Sequence, residues 1–218
     1  EANAAALALA EQASRRDRLY VPFVADEHGL ISFVAEPLPI PAMRELAKTL
    51  CARALFLRAQ SDLPAAWRDV LTVHRLARLQ AQNPWLVSQL VALAMESIAS
   101  HTGRELAADP RFEPTLARQV LAELSALEPL DDLVPKAAGV ERGFALMAVE
   151  YLRRGGEVNR LIHWPGAEGA GAMDADWEEL CRRVNLASDC LAAGQQVGGA
   201  RDRDDGWLGG FRGEHPMR

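Results

Sequence analysis

The chain has 218 residues, with 24 Lys and Arg against 30 Asp and Glu, for a formal charge of −6. Apolar residues make up 49% and aromatics only 6%, so any core is built largely from Ala and Leu, which favours helices over strands. The acidic balance counts against a nucleic-acid interface, which needs a basic stripe, and no apolar run approaches the ~18 residues of a membrane span.

Residues 2–16 are rich in Ala and Leu and read as a helix with a narrow seam of Ala6, Leu9, Ala10 and Ala13. The charged turn Arg15–Arg18 ends it. Residues 19–34 are the strand-like stretch: two β-rich runs around Asp26-Glu27-His28-Gly29 predict a short β-hairpin, with Pro22 making the first run an edge strand or an irregular extended segment. Pro37, Pro39 and Pro41 make a stiff connector. Pro41 then opens a helix to about Gln60, with Met43, Leu46, Leu50, Ala54 and Leu57 on its inner face.

The centre of the chain is punctuated twice. Asp62-Leu63-Pro64 offers a capping carboxylate and a proline in a first helical turn, where its missing N–H does no harm. The helix from Pro64 to Gln82 carries Leu63, Trp67, Val70, Leu71, His74, Ala77 and Ala81 at steps of three and four, a stripe roughly 28 Å long. Asn83-Pro84 repeats the device and opens a helix to about Thr102. Its face is Val87, Leu90, Val91, Ala94 and Ile98, widened by Leu86, Leu93 and Met95, and so broad a face predicts a helix sandwiched between neighbours.

Asp109-Pro110 breaks the pattern. A helix over 113–127 follows, with Val120, Leu121 and Leu124 inward, then a joint at Pro129 and Asp131-Asp132. The helix from Pro135 to Arg154 is strongly apolar after Gly143 and stops at Gly155-Gly156. Residues 155–173 are an irregular loop whose His163-Trp164-Pro165 is either a lid over a groove or a tryptophan docked on the core. A last helix over 175–193 turns Trp177, Leu180, Val184 and Leu191 inward. The expected architecture is all-α: an irregular stack of antiparallel helices in one domain over residues 1–193, followed by a disordered or aberrant tail over 194–218.

Paired helices of this length are loosely similar to tetratricopeptide-like α-hairpin stacks, although Pro64 and Pro84 are too close for the roughly 34-residue period of those repeats. The segments AWRDVLTVHRLARL, LVSQLVALAMES and VERGFALMAVEYLRRGG, with the opening 1–24 and the closing DWEELCRRVN, resemble a group of uncharacterised planctomycete proteins. That resemblance covers residues 1–189 and fades from about Ala193. It implies helices, a longer parent chain with an N-terminal membrane anchor, and no particular activity.

The chemistry available to such a fold is sparse. Cys51, Cys181 and Cys190 are odd in number and form no CxxC, and the last two sit on opposite sides of a helix, so all three read as buried free thiols. No HxxxH, HExxH, phosphate loop or GxSxG is present, which leaves no motif for a metal or cofactor. His74 lies on an apolar stripe, and Glu96 and Glu141 occupy largely apolar helix faces. Buried carboxylates need partners, so His74, Arg75, Arg78, Glu96, Glu141 and Arg142 are expected to form one polar network fixing helix order. On that reading Glu141→Leu costs about 3–5 kcal/mol, because an arginine is left unpaired.

Two functional readings follow. The first is a non-enzymatic structural or interaction domain that binds a protein partner or a second copy through helix faces, touching a membrane only through a missing N-terminal segment. The second is a hydrolase or transferase using His74 with Glu96 or Glu141. The enzyme requires His74 open to a pocket; the interaction domain requires an exposed apolar patch.

Overall fold

A computed structural model describes residues 4–21, 40–130, 133–156 and 176–192. They form seven helices: α1 (Ala4–Ser14), α2 (Ile40–Ala59), α3 (Leu63–Ala81), α4 (Leu86–Ala107), α5 (Pro114–Ser125), α6 (Leu133–Arg153) and α7 (Trp177–Ala192). No strand occurs among the described residues, so the architecture is all-α. The expected hairpin over 19–34 lies almost wholly outside them, with 19–21 non-helical. The loop with His163-Trp164-Pro165 and the tail over 194–218 also lie outside.

The fold is centred on α3. Asp62 caps it as its sequence predicts, with Oδ1 accepting the Ala65 amide at 3.0 Å and Pro64 in the first turn. It then packs against α1, α2, α4 and α5. Burial extends around most of its circumference, taking in Trp67, Val70, Val73 and Ala77 but also Asp69, Thr72, His74 and Gln80. Polar groups survive there where acceptors or charges meet them. The Thr72 hydroxyl donates to the Arg68 carbonyl at 2.8 Å, and Arg53 of α2 donates both arms of its fork to Asp69, at 2.7 and 2.5 Å. Helix α4 also lies between neighbours, α2, α3 and α6, but it keeps one apolar strip open to solvent.

The setting of α4 departs from its sequence pattern. The helix starts at Leu86 and runs to Ala107, and Asn83 does not cap it: the Asn83 Oδ1 instead accepts the Trp85 amide at 3.2 Å in a turn. Ser88, Gln89, Val91, Ala92, Met95, Ala99, Thr102 and Leu106 face inward. Val87, Leu90 and Leu93 face solvent at 39, 55 and 48% exposure. Two local features set this rotation. Ser88, Ala92 and Ala99 have small side chains that allow close approach to neighbouring helices. Gln89, almost wholly buried, donates through Nε2 to the carbonyls of Ala81 and Asn83 and so locks α4 to the end of α3.

The seam of α1 is Leu7, Ala10 and Ser14, with Leu9 exposed. On α5, Val120 and Leu124 lean on the core while Leu121 faces water. Cys51 is buried, but Cys181 and Cys190 are only half-buried; all three are free.

The α6 and α7 helices pack together, and α6 reaches α4 through Phe144, whose ring meets Trp85 edge-on at 5.6 Å. Helix α7 opens on Asp176, whose Oδ1 accepts the Glu179 amide at 3.0 Å. Its Trp177, Leu180 and Val184 are half-buried. Helix α6 stops where the glycine pair predicts. Gly155 has φ +85°, its N–H donates to Leu152 O at 2.9 Å, and the Gly156 N–H donates to Tyr151 O at 3.0 Å. This is the paired-bond C-terminal motif that satisfies the last carbonyls of a helix.

Candidate functional site

The three-and-four spacing of α3 places His74 and Arg78 one turn apart, facing Glu96 of α4. His74 Nδ1 lies 2.9 Å from Glu96 Oε1, and Arg78 Nη1 donates to Glu96 Oε2, also at 2.9 Å. Arg78 donates as well to the carbonyls of His74, at 2.9 Å, and Glu128, at 2.7 Å. One arginine thus ties α3, α4 and the segment after α5 together. The His74–Glu96 approach is close but lacks hydrogen-bond geometry at Nδ1. Burial pushes the Glu96 carboxyl upward, but His74 and Arg78 outweigh it and hold the group below its ordinary value.

His74 is only 4% exposed, and Trp67 flanks it with ring centroids 6.4 Å apart. Trp67 is fixed in turn by donating Nε1–H to Glu123 Oε2 of α5 at 2.8 Å. A cleft of about 410 Å³ lies nearby, between α3, the end of α1 and the segment after α5. Arg75 and Arg78 line it, and His74 does not. Arg78 holds one Glu96 oxygen, His74 Nδ1 abuts the other, and the imidazole is enclosed, so the group is arranged to pin helices and offers no open acid–base pair.

Of the six residues expected in one network, the structure brings together His74, Arg78 and Glu96. Arg75 is half-buried on the cleft wall and makes no hydrogen bond or ion pair among the described residues. Glu141 is elsewhere: its Oε1 accepts the Leu86 amide at 3.0 Å, at the start of α4. Arg142 points the other way, donating to Asp189 and to the Asn185 carbonyl of α7. One turn of α6 cannot aim adjacent residues at the same target, since neighbours on a helix point about 100° apart.

Two further charge groups lie outside the six expected residues. Asp69 with Arg53 is one; the other centres on Asp109, which accepts from Arg58 Nε at 2.9 Å and from Arg111 Nε, Nη2 and backbone N–H at 2.8, 2.7 and 3.0 Å. The Arg111 and Arg58 contacts hold the Asp109 carboxyl well below the usual carboxylate range. Arg111 also donates to Ser61 and to the Arg58 carbonyl, joining the α2–α3 turn to the α4–α5 joint. A signal for the first pair exists: Asp69 falls between Ala66 and Val73 at helical spacing, on the inward stripe.

Among the described residues no group of three His, Cys, Asp or Glu side chains is placed to hold a metal ion, and no helix is long and apolar enough to cross a membrane. No protein-family model, curated protein or solved structure matches the chain.

Proposed function

We propose that the chain is a non-catalytic helical domain that pairs with a second copy of itself through the outer face of α4. The observation that carries this reading is the exposed stripe Val87, Leu90 and Leu93, at steps of three on a helix whose other side is already in the core. Burying such a stripe against a like surface removes apolar area from water at about 25 cal/mol per Å².

Charge favours a second copy as the occupant. Between residues 84 and 100 the only ionisable side chain is Glu96, which is engaged by His74 and Arg78. Two copies of a chain of charge −6 repel each other over most of their surfaces. At this face they meet without like charges. The enclosure of His74 supports the non-catalytic part of the reading, because a general base must reach its substrate.

Sedimentation of the whole chain over a wide concentration range tests it. A reversible dimer that becomes monomeric in Leu90→Glu, with the melting temperature of the dilute protein unchanged, is expected. A monomer up to several hundred micromolar, or a dimer indifferent to Leu90→Glu and Leu93→Glu, overturns it.

A further inference from the structure

The cleft beside α3 has a charge opposite to that of the chain. Arg15, Arg16, Arg75 and Arg78 line it against two acidic residues, Asp17 and Glu128. Two of the guanidiniums are engaged: Arg15 with Glu11 at 2.8 Å, and Arg78 with Glu96 and two carbonyls. Arg16 and Arg75 have no hydrogen-bond or ion-pair partner among the described residues. Arg75 is moreover half-buried, and a charge withdrawn from water without an acceptor is costly. On α3 it stands three residues before Arg78, on the same side of the helix. Leu79 and Leu127 add an apolar portion to the wall.

We propose that this cleft binds a small phosphomonoester, its phosphate held by the forks of Arg75 and Arg16 and its organic part resting on Leu79 and Leu127. A guanidinium fork matches two phosphate oxygens at once. A phosphomonoester carries nearly two negative charges at neutral pH, which matches two unengaged arginines better than the single charge of a carboxylate. The cleft volume of about 410 Å³ is in the range that holds small ligands. A rival explanation is that these arginines serve the negative C-terminal ends of α1 and α5. Arg78 bonds a carbonyl, that of Glu128 three residues past the end of α5, but Arg75 donates to no carbonyl among the described residues.

Titration calorimetry of the whole chain with phenyl phosphate, at constant ionic strength, tests the assignment. The expected result is saturable binding at one site, weakened about tenfold or more by Arg75→Ala, weakened less by Arg75→Lys, and unchanged by Arg68→Ala, which removes an exposed α3 arginine outside the cleft. Arg16→Ala carries the same expectation should Arg75→Ala not fold. Leu90→Glu leaves binding unchanged, which separates this site from the α4 face. Absence of saturable binding, equal weakening by Arg68→Ala, or benzoate binding as tightly as phenyl phosphate overturns the proposal.

Discussion

Glu141 of α6 caps α4 from outside: its Oε1 accepts the Leu86 amide at 3.0 Å, at a helix start where Trp85 provides no side-chain cap of its own. The carboxylate satisfies an orphan N–H and places negative charge at the positive end of the helix. Loss of a side-chain cap costs about 1 kcal/mol and the charge at a helix end about 0.5 kcal/mol more. Glu141→Leu is therefore expected to lower stability by about 1–2 kcal/mol in urea unfolding. Glu141→Gln keeps an acceptor and costs less. A loss of about 3–5 kcal/mol for the leucine variant is the value for an arginine left unpaired in the core, and it would restore the reading of Glu141 as an ion-pair partner.

The chain should lose stability in acid through Asp109 and Glu96. Both carboxyls are held below their ordinary values in the folded state, Asp109 by Arg111 and Arg58, Glu96 by His74 and Arg78 against its own burial. The unfolded chain titrates these groups near pH 4. Their contribution is thus fully present above about pH 5 and is lost as pH falls through 4 and toward the folded values. Thermal melts from neutral pH down to about pH 3 should show a falling Tm. Asp109→Asn should start lower at neutral pH and fall less steeply. Glu150, held down to about 2 by Arg153 and Arg154, sits in an exposed cluster. Screening makes such pairs weak, so Glu150→Gln should leave the acid limb almost unchanged.

What the sequence made legible follows from the range of the forces involved. Helix positions and stops are local, and Asp62, Pro64, Pro114 and Gly155 mark them at or within a residue of where they fall. The rotation of a helix about its axis is not local. The apolar count on α4 favoured Val87, Leu90 and Leu93, yet the bonds of Gln89 to Ala81 and Asn83 and the small Ser88, Ala92 and Ala99 turned the opposite side inward. The polar network was legible where one helix turn set it, as for His74 and Arg78. It was not legible at Glu141, whose partner is a backbone amide 55 residues away. Side-chain identity says little about such partners.

Arg53 and Asp69 form an ion pair whose aspartate side chain is 6% exposed and whose arginine is 33%. The pair joins α2 to α3 across the Asp62 turn. Removing only the cation leaves a buried carboxylate with no partner, and such half-broken pairs are far more damaging than the intact pair is stabilising. Arg53→Leu is expected to cost about 3 kcal/mol in urea unfolding. Arg53→Leu combined with Asp69→Leu should recover much of that loss, since the double variant buries no unmatched charge. A double variant as unstable as Arg53→Leu alone would show that the pair contributes net stability.

Gly155 and Gly156 end α6 for different reasons, and alanine separates them. At Gly155 the backbone has φ +85°, with nothing within 4 Å of an added Cβ. Alanine there has room but must adopt a conformation that its Cβ disfavours, at about 1 kcal/mol. At Gly156 the Cβ would lie 2.3 Å from the Tyr151 ring, one helical turn back. The ring must then move, or the closing bond from Gly156 N–H to Tyr151 O must open and free a carbonyl at the helix end. Gly155→Ala should therefore give a small uniform loss of stability. Gly156→Ala should in addition raise amide hydrogen exchange at Gly155 and Gly156. Equal exchange in the two variants would mean that the Tyr151 ring swings aside without disturbing the stop.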